Sequence, residues 1–74
     1  MQFDLQLLIE TIRNRRLALQ YKQEYVAACL GVSQNAYSKL ELGRCHLTVQ
    51  RLIDVCRILE IDVYEMLKPA MQVA

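Results

Sequence analysis

Between residues 22 and 44 the chain reads KQEYVAACLGVSQNAYSKLELGR, and most of its side chains suited to binding lie in this stretch. Gln34 and Asn35 stand side by side just after a Gly-Val-Ser turn. A side-chain amide carries a donor and an acceptor on one plane, so at the head of a helix it can make a two-point contact with a base edge. Lys22, Lys39 and Arg44 flank the two amides, and cations of this kind seek phosphate. Other chemistry is poorly supplied. Cys29, Cys45 and Cys56 are odd in number and show no C-x-x-C spacing, which provides neither a disulfide framework nor a zinc site. Cys29 and Cys56 fall on apolar helical stripes and are expected in the core, with Cys45 an exposed loop thiol. His46 has no partner at metal spacing and reads as a surface histidine. No Cys-His, Ser-His or paired-carboxylate arrangement suggests catalysis, and a domain this small has little pocket volume. No metal, cofactor or small-molecule substrate is expected.

The elements that hold these residues must come from 74 residues, enough for one domain. Such a chain buries only about 60% of the surface its unfolded form exposes, so its stability is marginal without good packing or association. Its composition, 54% apolar and 23% charged, is that of an ordered globular protein. No apolar run approaches the roughly 20 residues that cross a bilayer, and Asp4 argues against a signal peptide. A cytoplasmic protein with no membrane contact is expected. Net charge is only +1, but its distribution is uneven. Residues 11–44 hold Arg13, Arg15, Arg16, Lys22, Lys39 and Arg44 against Glu24 and Glu41, while the remainder is net acidic. A basic half of this kind fits a small nucleic-acid-binding module.

Apolar periodicity predicts five helices and no strands. The first runs from about Asp4 to Leu19, with Leu5, Leu8, Ile9, Ile12 and Leu19 on one face. Arg16 shares that face and must be paired or snorkel there, because an unpaired buried charge is costly. The second covers Gln23 to Leu30, with Val26, Ala27 and Leu30 inward. Gly31 permits the turn, Ser33 caps the third helix, and Gly43 ends it beyond Leu42. Thr48 caps a fourth, whose stripe is Val49, Leu52, Ile53, Cys56 and Leu59. Asp62 and Glu65 open a short fifth helix through Met66 and Leu67, which Pro69 stops. The domain spans residues 1–74, with a core of about 5–67 and a tail from 68 onward.

Five blocks in this order resemble the Cro and lambda-repressor type of helix-turn-helix domain, the xenobiotic-response-element family. They are IRNRRLAL at Ile12 to Leu19, QEYVAACLGVSQ at Gln23 to Gln34, YSKLELG at Tyr37 to Gly43, LTVQRL at Leu47 to Leu52, and LEIDVYEML at Leu59 to Leu67. The resemblance implies an all-α, five-helix fold and a transcriptional regulator of duplex DNA, a repressor binding a near-palindromic operator as a dimer. In such domains the second helix of the motif enters the major groove while the first crosses the backbone. Carried over by position, Gln34, Asn35, Ser33 and Lys39 would face bases, Gln34 most naturally reading adenine. Lys22, Gln23 and Arg44 would face phosphates, and Tyr37, a packing residue at least partly buried on the third helix, could reach one through its hydroxyl. Arg16 and Glu41 match a structural ion pair.

The apolar end formed by Tyr64, Met66 and Leu67, with Met71 and Val73 beyond, is either core or an exposed patch, and a homodimer interface is the favoured expectation. Arg13 and Arg15 are expected to be solvated, or to bind phosphates only peripherally. The chain departs from the family pattern at Lys22, where a Ser or Thr cap is usual, at Gln20, where Gly is customary, and at Leu42, where Asn is frequent. The low net charge and Leu42 motivate a competing reading, a protein-interaction module such as an antitoxin or assembly partner.

Overall fold

In the computed structural model, which describes residues 2–72 and the last of these by its backbone alone, the elements follow the helical reading closely. Helices α1 (Leu5–Ala18), α2 (Gln23–Leu30), α3 (Gln34–Glu41), α4 (Val49–Ile58) and α5 (Val63–Leu67) are followed by a 3₁₀ turn, Lys68–Ala70. Short polar side chains start most of them. Asp4 accepts from the Leu7 amide, Ser33 from Ala36, Thr48 from Arg51, and Asp62 from Tyr64 and Glu65. Each satisfies amides that have no acceptor within the helix. Lys22, at the head of α2, makes no such bond.

The first four helices end alike, in a left-handed residue closed by a backbone bond that spans the last turn. The bonds are Tyr21 N–H to Arg16, Val32 to Ala27, Arg44 to Lys39 and Ile61 to Cys56. Gly31 and Gly43 take the left-handed position after α2 and α3, where the missing Cβ removes strain. After α1 and α4 the same place falls to Gln20 at φ 60° and Glu60 at φ 55°. Thus α1 does close in a left-handed turn, although no glycine is present to make it.

These turns fold the helices around a core of Leu8, Ile12, Val26, Ala27, Tyr37, Leu40, Leu52, Val55, Cys56, Leu59, Met66 and Ala70. Several sequence expectations change here. The inward stripe of α4 is Leu52, Val55, Cys56 and Leu59, spaced i, i+3, i+4, i+7. This rotation leaves Val49 74% exposed and Ile53 at the rim. Leu5 is half exposed in the first turn of α1. Cys29 lies on the outer face of α2, one turn after exposed Tyr25, because α2 buries Val26 and Ala27 instead.

The end of the chain is also more than a tail. Ala70 is fully buried, and the Asp4 amide donates to its carbonyl at 2.8 Å. Beyond it, strands β1 (Gln2–Phe3) and β2 (Met71–Gln72) pair antiparallel, with Gln2 opposite Gln72 and Phe3 opposite Met71. Two-residue strands are too short to show alternation in a sequence. The core therefore reaches past residue 67.

Candidate nucleic-acid interface

At the head of α3, Ser33, Gln34 and Asn35 are exposed, as is Lys39 one turn further on. Ser33 accepts from the Ala36 amide at 3.1 Å, which occupies its oxygen and leaves its O–H free to donate. Asn35, Ala36 and Lys39 line one side of a surface cavity of about 320 Å³ whose other side carries Cys45, His46 and Arg51. Gln34 is not among its lining residues. Asn35 thus borders this cavity and Gln34 does not.

Behind this surface, α3 is fixed by a charged core. Arg16 Nε and Nη2 donate to Glu41 Oε2 at 2.6 Å and Oε1 at 2.9 Å. Arg16 Nη1 reaches the Tyr21 carbonyl at 2.9 Å. Both side chains are at least nine-tenths buried, so the two-point geometry and the extra bonds are what make the pair tolerable. Burial, the largest single influence, pushes the Glu41 carboxyl upward, but Arg16 with Tyr37 and Gln23 beside it together hold it below the ordinary carboxylate value. The hydrogen bond to Glu41 raises Arg16 further, burial opposing.

Two residues assigned to phosphate by position belong to this network. Gln23 Nε2 donates to Glu41 Oε1 at 3.1 Å, so its side chain points inward, away from the phosphate expected at the α2 start. Tyr37 is 1% exposed. Its hydroxyl is buried beside Arg16 and Glu41 without a well-formed hydrogen bond, and burial pushes its pKa well above the usual range. Tyr37 is therefore a core residue and not a backbone contact. Its place on the α3 stripe beside Leu40 was the signal for this.

The basic half is also smaller than its charge count. Arg13 Nη2 donates to the Glu41 carbonyl at 2.8 Å. Arg15 donates to the carbonyls of Leu59 at 2.8 Å and Glu60 at 2.9 Å. Both arginines thus complete helix C-termini, where carbonyls lack partners and the helix dipole favours cations. Neither is simply solvated. Exposed Arg57 lies 3.7 Å from Asp54. Among the described residues, Lys22, Lys39, Arg44, Arg51 and Lys68 have no carboxylate partner. Arg51, half-buried in the first turn of α4, lies beyond the basic stretch that ends at residue 44.

The expected dimer surface divides. Met66 is fully buried, so it is core and not interface; Leu67 packs partly against that core. Tyr64 is 58% exposed, and Met71 is half-buried opposite Phe3. Val73 lies outside the described residues. Among the described residues there is no group of metal-ligating side chains, and no helix is long and apolar enough to cross a membrane.

Comparison with known proteins agrees with this geometry. The helix-turn-helix family profile matches residues 12–66. An uncharacterized transcriptional regulator in the ATPase CF(0) region of Rhodospirillum rubrum is 35% identical over 54 residues, covering 73% of this chain and 50% of that protein. The chain thus spans about half the length of the curated relative it matches. No solved structure matches.

Proposed function

The chain belongs to the helix-turn-helix family, and from that premise we propose that it is a sequence-specific transcriptional regulator of duplex DNA, acting in the cytoplasm as a repressor that occupies a near-palindromic operator as a homodimer. It is a non-enzymatic DNA-binding protein. The observation that carries the reading is the exposed head of α3, with two amides beside unpaired cations. Gln34 and Asn35 read base edges in the major groove, Gln34 through the N6 and N7 positions of adenine. Ser33 and Lys39 flank them. Lys22, the amides at the start of α2, and Arg44 take phosphates.

One reading helix discriminates too few base pairs against a genome of competitors, which is the reason for two copies. Of the exposed apolar side chains, we assign Val49 and Ile53 of α4 and Tyr64 of α5 to the second copy. Selection of bound sequences from random duplexes tests the reading. A two-fold-related consensus whose affinity falls steeply with salt is the expected result. Salt-insensitive or absent binding overturns it. A co-purifying polypeptide whose binding ignores Gln34→Ala would instead mark a protein-interaction module.

A further inference from the structure

The cavity of about 320 Å³ between α3 and the start of α4 has a lining of two halves. One is apolar: Leu30, Val32, Tyr37 and Leu40, all buried or half-buried, form a wall. The other is cationic, with Lys39 supplied by α3 and Arg51 by α4. No carboxylate lines the cavity, and neither cation has a carboxylate partner among the described residues. The neighbouring cavity between α2 and α4 differs, because its Arg57 lies 3.7 Å from Asp54, which lines it too. A phosphate suits the two cations but leaves the wall against water. A wholly apolar molecule covers the wall but strips water from two unpaired charges, which is costly. A molecule with an apolar body and one anionic head meets both demands. The volume falls at the low end of the roughly 300–1,000 Å³ of small-molecule sites, so the body is small.

We propose that this cavity is an effector site for a small amphipathic carboxylate, whose body rests on the apolar wall and whose head is held by Arg51 and Lys39. A planar guanidinium takes a carboxylate through two parallel hydrogen bonds, which fixes the head on the α4 side. The site bears on regulation because Asn35 and Lys39, assigned above to base edges, line it as well. An occupant covers Asn35 and takes up the charge of Lys39, so carboxylate and duplex compete for one face. By linkage, each weakens the other by the same factor. This competition rests on the DNA-binding reading above; occupation of the cavity does not. Cys45 is exposed and lines the cavity, which makes its thiol an internal reporter. Cys29, exposed and lining the cavity with Asp54 and Arg57, is the control.

The full chain is titrated with 2-naphthoate, indole-3-acetate and octanoate, which vary the body and keep the head. 2-Naphthamide, of like shape but uncharged, and acetate, a head without a body, are the comparisons. Binding is read from the rate at which iodoacetamide alkylates each cysteine, followed by mass spectrometry. At least one of the carboxylates should slow Cys45 saturably and leave Cys29 unchanged. The amide should bind on the order of tenfold more weakly, and acetate should have no effect. Arg51→Gln should weaken the carboxylate by a similar factor and leave the amide unchanged, which separates a lost charge from a damaged cavity. Arg51→Lys should restore most of that loss. In an anisotropy titration, the carboxylate at about nine times its Kd should raise the apparent Kd for a duplex with one half-site roughly tenfold. A Cys45 unprotected by all three carboxylates, or protected equally by the amide, overturns the proposal while duplex binding by the wild-type chain stands. A protected Cys45 with unaltered duplex affinity overturns the effector role. A wild-type chain that binds carboxylate but no duplex keeps the site and removes the DNA-binding reading.

Discussion

Arg16 and Glu41 show how one pair of side chains can decide whether the reading helix is held in place. Their charges lie almost out of water, and each has its counter-charge within 3 Å. Removing one partner strands the other. Arg16→Ala should therefore destabilise the domain by roughly 3 kcal/mol in urea unfolding. Replacing both residues with apolar ones, Arg16→Met with Glu41→Leu, should cost less than either single change. A double variant as unstable as the sum of its singles would refute this account. The same pair sets an acid limb. Glu41 is held below its ordinary value of 4.5 in the fold, so folding favours its ionised form. The stability this supplies is complete above that value and is lost as pH falls through the lower, folded-state value. Glu41→Gln should flatten the urea midpoint against pH in that window, and an acid limb identical to wild type would rule the mechanism out. At the exposed head of α3 the expectation differs in kind. Gln34→Ala should leave the fold and non-specific affinity unchanged while weakening a selected site by about 1–3 kcal/mol.

Helix ends are where the elements of this chain reveal both what sequence shows and what it hides. Gly31 and Gly43 announce their left-handed turns, whereas Gln20 and Glu60 adopt the same backbone without any such mark. An L-residue there carries about 1–2 kcal/mol of strain. Gln20 is exposed and makes no side-chain hydrogen bond among those of the described residues. Gln20→Gly should therefore raise stability by about 0.5–1 kcal/mol after the entropy gained by the unfolded chain is deducted. Glu60 accepts from the Tyr21 hydroxyl at 3.1 Å, so Glu60→Gly should gain less. Thermal unfolding of the two variants orders them, and a Gln20→Gly protein less stable than wild type would contradict the strain argument. The five helices were legible because periodicity and caps are local signals, complete within a turn or two. Arg13 and Arg15 were misread because their partners lie 28 to 45 residues away, which no local pattern encodes. The burial of Tyr37 was legible from its place on the α3 stripe, but its ring goes fully into the core, which leaves no hydroxyl for a phosphate. Cys29, Val49 and Ile53 were misplaced by a rotation of one residue on helices too short to average such an error. The outward amides Gln34 and Asn35 were legible from their position just past the Ser33 cap.

Taken as a whole, the molecule has less charge to offer DNA than its arginine count suggests, and this gives a number to measure. Of the nine cationic residues, Arg13, Arg15 and Arg16 are committed to α1's contacts with the ends of the other helices. Arg57 sits beside Asp54, and Lys68 lies at the chain's far end after α5. Lys22, Lys39, Arg44 and Arg51 remain for phosphate. Each neutralised phosphate contributes about 0.9 to the slope of log affinity against log salt. Four contacts per subunit then predict a slope of about 3.6 for one subunit and about 7 for a dimer on a two-fold site. A chain that instead used its α1 arginines would add about three more per subunit, and would unfold or loosen as those arginines left their carbonyls. Affinity titrations between low and physiological salt, on a duplex with one half-site and on one with two spaced a helical turn (about 34 Å) apart, separate these cases. A slope that doubles between the two duplexes requires two copies binding together. A slope near 3.6 on both would mean that a single copy is the binding unit, and the surface of Val49, Ile53 and Tyr64 would need another explanation.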